Sequence, residues 1–176
     1  MEKVMVIGVS AGVGKSTFAK ILGKELGLPV FHLDSYHWKP GWVEAKPKEF
    51  ENAQRAIVKK DKWIIEGNYS ETFHLRMAEA DTIIYLELPL SVCLYRVLKR
   101  WLANRGKTRP DMGAGCPEKM DLDFLKFIVF TYSSRKVKMK RRLQEFRQQK
   151  TGNVAIALLN QKQIDGFMKN GRRSLH

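Results

Sequence analysis

Residues 8–17 read GVSAGVGKST, a glycine-rich stretch closed by a lysine and two hydroxyl residues. The chemistry open to such a stretch is anion binding. Backbone amides wrap a phosphate, the lysine reaches its outer oxygens, and the first hydroxyl ligates Mg2+. Gly12, Val13, Gly14, Lys15, Ser16 and Thr17 are therefore the candidate binding residues for ATP, with Lys15 on the phosphate that moves. The spacing is unusual, because the common pattern puts its first glycine where Val9 stands, and the nearest glycine is Gly8. We expect residues 12–17 to form the cradle and residues 8–11 to bulge around the extra residue.

Two further stretches supply carboxylates. HLDSYHWKPGW (32–42) carries Asp34, suited to coordinate Mg2+ through water, to accept a proton from a phosphate-receiving hydroxyl, or to anchor the acceptor. WIIEGNY (63–69) ends an apolar run on Glu66, where a carboxylate would hold the Mg2+ shell, and Glu87 ends the next apolar run in the same way. Gly67-Asn68 allows close approach and favours Glu66, so the expected metal set is Ser16, Asp34 and Glu66. Tyr36, Trp38 and Trp42 form either a wall on which a ring stacks or the packing of a loop. His32 and His37 read as structural.

Arginines complete the set. Within SVCLYRVLKRWLANR (91–105), helical spacing places Leu94, Val97, Leu98 and Trp101 on one arc, with Arg96 and Arg100 nearly opposite. Like charges one turn apart repel by about 0.2–0.5 kcal/mol on a bare helix, a cost that an anion between them would reverse. Arg105, Lys107 and Arg109 extend the series, and no acidic residue lies between 96 and 109. Such a series reads as a lid that screens a transferring phosphoryl group or as a solvated basic face. Arg135, with Arg141 and Arg142 behind it, is the candidate second wall.

The elements that must position these groups alternate. Apolar runs at 3–9, 29–33, 62–67, 81–88 and 153–159 read as strands. Helical patterns follow over the segment with Phe18, Leu22 and Leu26, over 46–60, over 91–105 opened by Ser91, and over about 121–150 with a break near Ser133; a short helix ends the chain. The stretch 106–118, rich in Gly, Pro and charge, reads as a loop or lid. Alternating buried strands and helices predict an α/β fold with a mostly parallel, doubly wound sheet, which binds ligands outside the carboxyl ends of its strands.

Composition narrows the class. The 176 residues suit one domain with a sizeable core, and no apolar run is long enough for a membrane span or a signal peptide, so the expected location is the cytoplasm. Cys93 and Cys116 fit neither zinc nor redox spacing. The net charge is +14, and residues 91–150 hold 16 basic against 5 acidic residues. A field of that sign attracts nucleotide phosphates or nucleic acid. It leaves open a nucleic-acid-binding regulator with ATP as a switch or unused, although no helix-turn-helix, zinc-finger or RNA-binding signature is present.

In their order, GVGKST, WIIEGNY, ADTIIYLELP, LYRVLKR and the segment 106–118 resemble the adenylate-kinase-like branch of the P-loop kinases over about residues 3–169. HLDSYHWKPGW, CLYRVLKR and RGKTRPDMGAGCPEK look more narrowly like the bacterial DNA topology modulation proteins. The resemblance implies a P-loop NTPase fold of three layers, α/β/α, with a five-stranded parallel sheet, an acceptor-binding region at about 34–60 and a short lid at about 105–120, all in one domain of 1–176. It implies an ATP- and Mg2+-dependent kinase for a nucleotide or small hydroxylated metabolite. Lys15 and Ser16 would bind ATP and Mg2+, Asp34 would lie at the acceptor or metal, and Glu66 would serve the Mg2+ shell. Arg96 and Arg100 would be the paired arginines at the lid's start, and Arg135 one beyond it. NYSETFHLR replaces that branch's Phe-Pro-Arg acceptor contact and leaves Arg76 as the substitute.

Overall fold

The computed structural model describes residues 1–119 and 121–170; Met120, at the end of the expected lid, and residues 171–176 lie outside the described residues. Apolar runs of the kind that fill parallel strands become β1 (Lys3–Gly8), β2 (Val30–His32), β5 (Trp63–Glu66), β6 (Thr82–Leu86) and β7 (Val154–Leu158). These pair in parallel in the order β2-β5-β1-β6-β7. Val4 to Ile7, Trp63 to Ile65 and Ile83 to Leu86 are fully buried, as expected for strands covered on both faces. Each such aliphatic side chain contributes about 1.5–3 kcal/mol by leaving water. β1 therefore sits at the centre of the hydrophobic core.

Helices cover both faces. α1 (Lys15–Leu26) joins β1 to β2, and Phe18 stacks on Phe167 of α7 (Gln161–Asn170) at 5.7 Å, so these two helices share a face. Returning crossovers of right-handed sense put α3 (Pro47–Val58), α4 (Phe73–Glu79) and α6 (Leu122–Gln149) on the other face. There the Arg142 guanidinium of α6 lies 3.9 Å from the Phe73 ring centre of α4. The result is a three-layer α/β/α fold with a five-stranded parallel sheet, as the sequence predicts.

Several details differ from expectation. α5 (Leu90–Asn104) starts one residue before Ser91, and Pro89 is its N-cap. α6 runs unbroken through Ser133; Thr131 Oγ1 donates to the Phe127 carbonyl and Ser134 Oγ to that of Thr131, so these hydroxyls bond back within the helix. Asp121 caps α6, accepting from the amides of Asp123 and Phe124. The short α2 (Leu33–His37), the antiparallel hairpin β3 (Trp38–Lys39) with β4 (Val43–Glu44), and α4 were not anticipated. Among the described residues no helix is long and apolar enough to cross a membrane.

Candidate functional site

The carboxyl ends of β1, β2 and β5 open into one cavity of about 1950 Å³, lined by the phosphate-loop residues, Asp34, Glu66, the lid and α6. Pockets for one small ligand run to about 1,000 Å³, so there is room for two substrates.

The loop after β1 holds its shape through glycine. Gly12 has φ 78° and packs so closely on the Cys93 carbonyl of α5 that a Cβ would overlap it. Gly14, φ 102°, is the N-cap of α1 and supplies no side-chain cap, and no acidic residue occupies the first turn. The amides at this helix start therefore remain available to an anion. Lys15 Nζ folds back to the Ser10 carbonyl at 3.2 Å. Gly8, Val9 and Ser10 are all buried, and the Val9 amide donates to the Leu86 carbonyl, extending the sheet. Asn68, in the turn after β5, clasps Gly8, accepting from its amide at 3.0 Å and donating to its carbonyl at 2.8 Å.

Glu66 ends β5 and is 3% exposed. Its Oε2 accepts from Ser16 Oγ at 3.0 Å and lies 3.0 Å from His32 Nδ1. Glu87 is turned elsewhere, bound by Tyr85 Oη at 2.9 Å and paired with Lys136 of α6 at 2.6 Å. Glu66 is thus the carboxylate at the phosphate loop. Asp34, in the first turn of α2, accepts from Tyr69 Oη at 2.7 Å. Burial, and then the nearby charge of Glu66, raise its carboxyl above the ordinary range, while Tyr69 and Lys15 pull it down. Tyr69, pushed up by burial and by Asp34, stays a phenol and donates. Ser16 and Glu66 offer oxygen donors, with His32 Nδ1 on the same Glu66 oxygen, and among the described residues no group of three His, Cys, Asp or Glu is placed to hold a metal alone. That suits Mg2+, which takes one or two protein oxygens and completes its shell from phosphate and water.

The arginines line the cavity at separate places. Arg96 donates to the Val13 carbonyl at 3.3 Å and to Gln161 Oε1 at 2.8 Å, beside the phosphate loop. Arg100 is bound by Glu118 at 2.9 Å. Arg109 donates to the other Glu118 oxygen and to Asp111, both at 2.7 Å. The run of unopposed cations from 96 to 109 is therefore answered by two buried carboxylates just beyond it. Burial and the neighbouring Arg109 lower the Arg100 pKa, against the opposing pull of Glu118. Although burial works the other way, Arg109, with Lys20 and the Ser16 hydroxyl, holds Asp111 below the usual carboxylate range. Arg135 stacks on the Phe127 ring at 4.4 Å, and burial lowers its pKa.

On α5 the buried residues are Cys93 and Val97, and Leu98 is 42% exposed. Two expectations are corrected. Arg76 touches no acceptor space; it is fully buried, donates to the carbonyls of Gly67 and Tyr69 at 2.7 and 2.8 Å, and is pushed down to about 9 by burial and by Arg142. Arg141 pairs with Glu145 at the surface and Arg142 reaches the Ser70 carbonyl, so neither forms a wall with Arg135. Asn68, Tyr69, Asp111 and Glu118 were not singled out as site residues from the sequence, although each stands inside a quoted motif, WIIEGNY or RGKTRPDMGAGCPEK. The aromatic residues of 32–42 form one chain of contacts: His37 packs on Phe50, Tyr69 and Trp38, and Trp38 meets Trp42 at 5.5 Å.

No family model and no curated protein matches the chain. Among solved structures it resembles a shikimate kinase from Bacteroides thetaiotaomicron, at 19% identity over 98% of this chain and 96% of that one, with a TM-score of 0.54. A shikimate kinase from Acinetobacter baumannii in complex with shikimate matches at 14% identity, with coverage of 97% and 90% and a TM-score of 0.53. A gluconokinase from Sinorhizobium meliloti 1021 matches at 13%, with 99% and 98% covered and a TM-score of 0.51. At these identities the likeness is one of architecture: the chain shares the fold of these solved structures.

Proposed function

We propose that the chain transfers the γ-phosphate of ATP to a hydroxyl of a small molecule or nucleotide. The observation that carries this reading is the Ser16–Glu66 contact of 3.0 Å, set beside Lys15 and opening into the cavity that also holds Asp34. Ser16 and Glu66 would hold Mg2+, which when bound supplies positive charge to the phosphate oxygens. Gly12 to Thr17 hold the phosphates, and Lys15 reaches the one transferred. Asp34, with its raised pKa, is assigned as the base that takes the acceptor's hydroxyl proton. Arg96, Arg100 and Arg135 screen the charge in transit. Residues 34–60 hold the acceptor and 105–120 cover it, within one domain of 1–176. The likeness to kinases named for shikimate and gluconate supports a small hydroxylated acceptor.

The alternative, a basic surface for nucleic acid linked to DNA topology, has less support. In the run 136–142, Lys136 is paired with Glu87, Arg141 with Glu145, and Arg142 is packed against Phe73. The test is transfer of labelled γ-phosphate from Mg-ATP to a panel of nucleosides, nucleotides, sugars and hydroxy acids. The wild type should label at least one class, and Lys15→Ala should lose about 100-fold or more in rate. No transfer across the panel would overturn the kinase reading.

A further inference from the structure

The lid touches the acceptor side of the molecule as firmly as it touches its own root. Gly41 in the β3–β4 turn donates its amide to the Gly115 carbonyl at 2.9 Å. The Trp42 indole donates to the Pro117 carbonyl at 3.0 Å, and Cys116 Sγ to the Lys39 carbonyl at 3.1 Å. Gly113 lies so close to the Trp38 carbonyl that a Cβ there would overlap it. Lys119 lies 5.4 Å from the centre of the Trp42 ring.

A second, independent observation concerns the hairpin itself. Trp42 has φ 65°, the only non-glycine residue with positive φ among those described. A bulky side chain rarely adopts this conformation, and such strain persists only where surrounding contacts over-determine it. Here those contacts are the lid's. The other face of the same lid carries Arg109 and Asp111 into the cavity, with Asp111 3.8 Å from Lys20 of α1.

We propose that the β3–β4 hairpin is the seat on which the lid closes, with Trp42 and Gly113 as positioning residues that bring Arg109 and Asp111 over the phosphate loop. The inference rests on the kinase reading for what the lid covers. An acceptor that orders the hairpin then also seats the lid, so nucleotide and acceptor binding are coupled through one contact surface. The sequence separation of 75 residues between Trp42 and Pro117 means that this coupling exists only in the folded molecule.

Cys116, 1% exposed beneath this contact, reports whether the lid is seated. The experiment measures labelling of Cys116 by a thiol reagent, in a Cys93→Ala background, with and without a Mg-bound non-hydrolysable ATP analogue; binding of the analogue is measured in parallel by calorimetry. In the parent protein the analogue should slow labelling about tenfold, because labelling tracks the open population. Gly113→Ala should label about tenfold faster and lose the protection, while thermal unfolding shifts little because the lid lies outside the core. Trp42→Phe, which keeps the ring and loses the N–H, should fall between the two. Analogue binding that leaves labelling unchanged in the parent, or equal protection in both variants, overturns the seat. Failure of the parent to bind the analogue overturns the nucleotide reading, and Gly113→Ala labelling no faster than its parent then overturns the seat separately.

Discussion

The phosphate-loop side of the cavity and its lid side both carry opposed charges, but they hold them differently. Glu66 stands in register with Val6 of β1 and His32 of β2, so the sheet itself sets its position. Its neighbours Ile64 and Ile65 are fully buried, and Asn68 and Arg76 tie down the turn that follows. Arg109, Asp111 and Glu118 are not held by the main sheet. Their places are set by two isolated bridges, Arg105 with Glu118 and Thr108 with Pro117, by one another, by Arg100 and Lys20, and by the hairpin 38–44. One side is built for constant geometry, the other for a geometry that can be made and released.

The sharpest way to break this contrast is at Glu66. Glu66→Gln preserves volume but removes the charge needed behind a divalent cation. Phosphate transfer should fall about 100- to 1000-fold, with Mg2+ requirement shifted to higher concentration. Melting should move little, since the amide still accepts from Ser16. A variant that transfers within threefold of wild type would show that the carboxylate is not part of the cation site.

Arg76 tests the rigid side by stability instead of rate. Arg76→Ala removes two hydrogen bonds to the carbonyls of Gly67 and Tyr69 and leaves a void beside Phe73. Unfolding in urea should show a loss of about 2–4 kcal/mol. A loss below about 0.5 kcal/mol would mean that the 67–70 turn is held by its other contacts.

These two residues also show what could be read beforehand. Glu66 was legible because it ends an uninterrupted apolar run and is followed by Gly67-Asn68, which Glu87 lacks. Arg76 was misread because the same residue type serves as ligand or as strut, and only burial tells them apart. The strands and α1 followed from periodicity, since continuous apolar runs have no other stable use in a chain of this kind. The apparent break at Ser133 came from a weak helix former whose hydroxyl neighbours satisfy their own helix. Glu118 was illegible for a deeper reason: its partners Arg100 and Arg109 lie 18 and 9 residues away, and nothing local marks the pairing.

Tyr69 gives a smaller effect at the border between the two sides. Its hydroxyl lowers the Asp34 pKa against burial and against Glu66, which raise it. A base works only when deprotonated, so activity should fall as pH drops through this raised value. Tyr69→Phe removes the lowering contribution, and the acid limb of the rate profile should move to higher pH, by about one unit or less. Above the displaced limb the variant should recover most of its rate. An acid limb that stays in place would detach Asp34 from the proton-transfer step.

The smallest effect is expected at Glu118, and its sign is informative. Its carboxylate bridges Arg100 and Arg109 where the phosphates of a nucleotide would draw on the same guanidinium groups. Glu118→Gln keeps one acceptor oxygen and removes the competing charge. If the lid is a releasable device whose carboxylates stand in for phosphate, the triphosphate analogue should bind about two- to fivefold tighter, with a steeper fall in added salt. If Glu118 instead fixes the two arginines as rigidly as β5 fixes Glu66, binding should weaken by a similar factor and the rate should fall with it. The first result keeps the two sides distinct. The second would make the lid a fixed wall like the phosphate loop, and the contrast between them would fail.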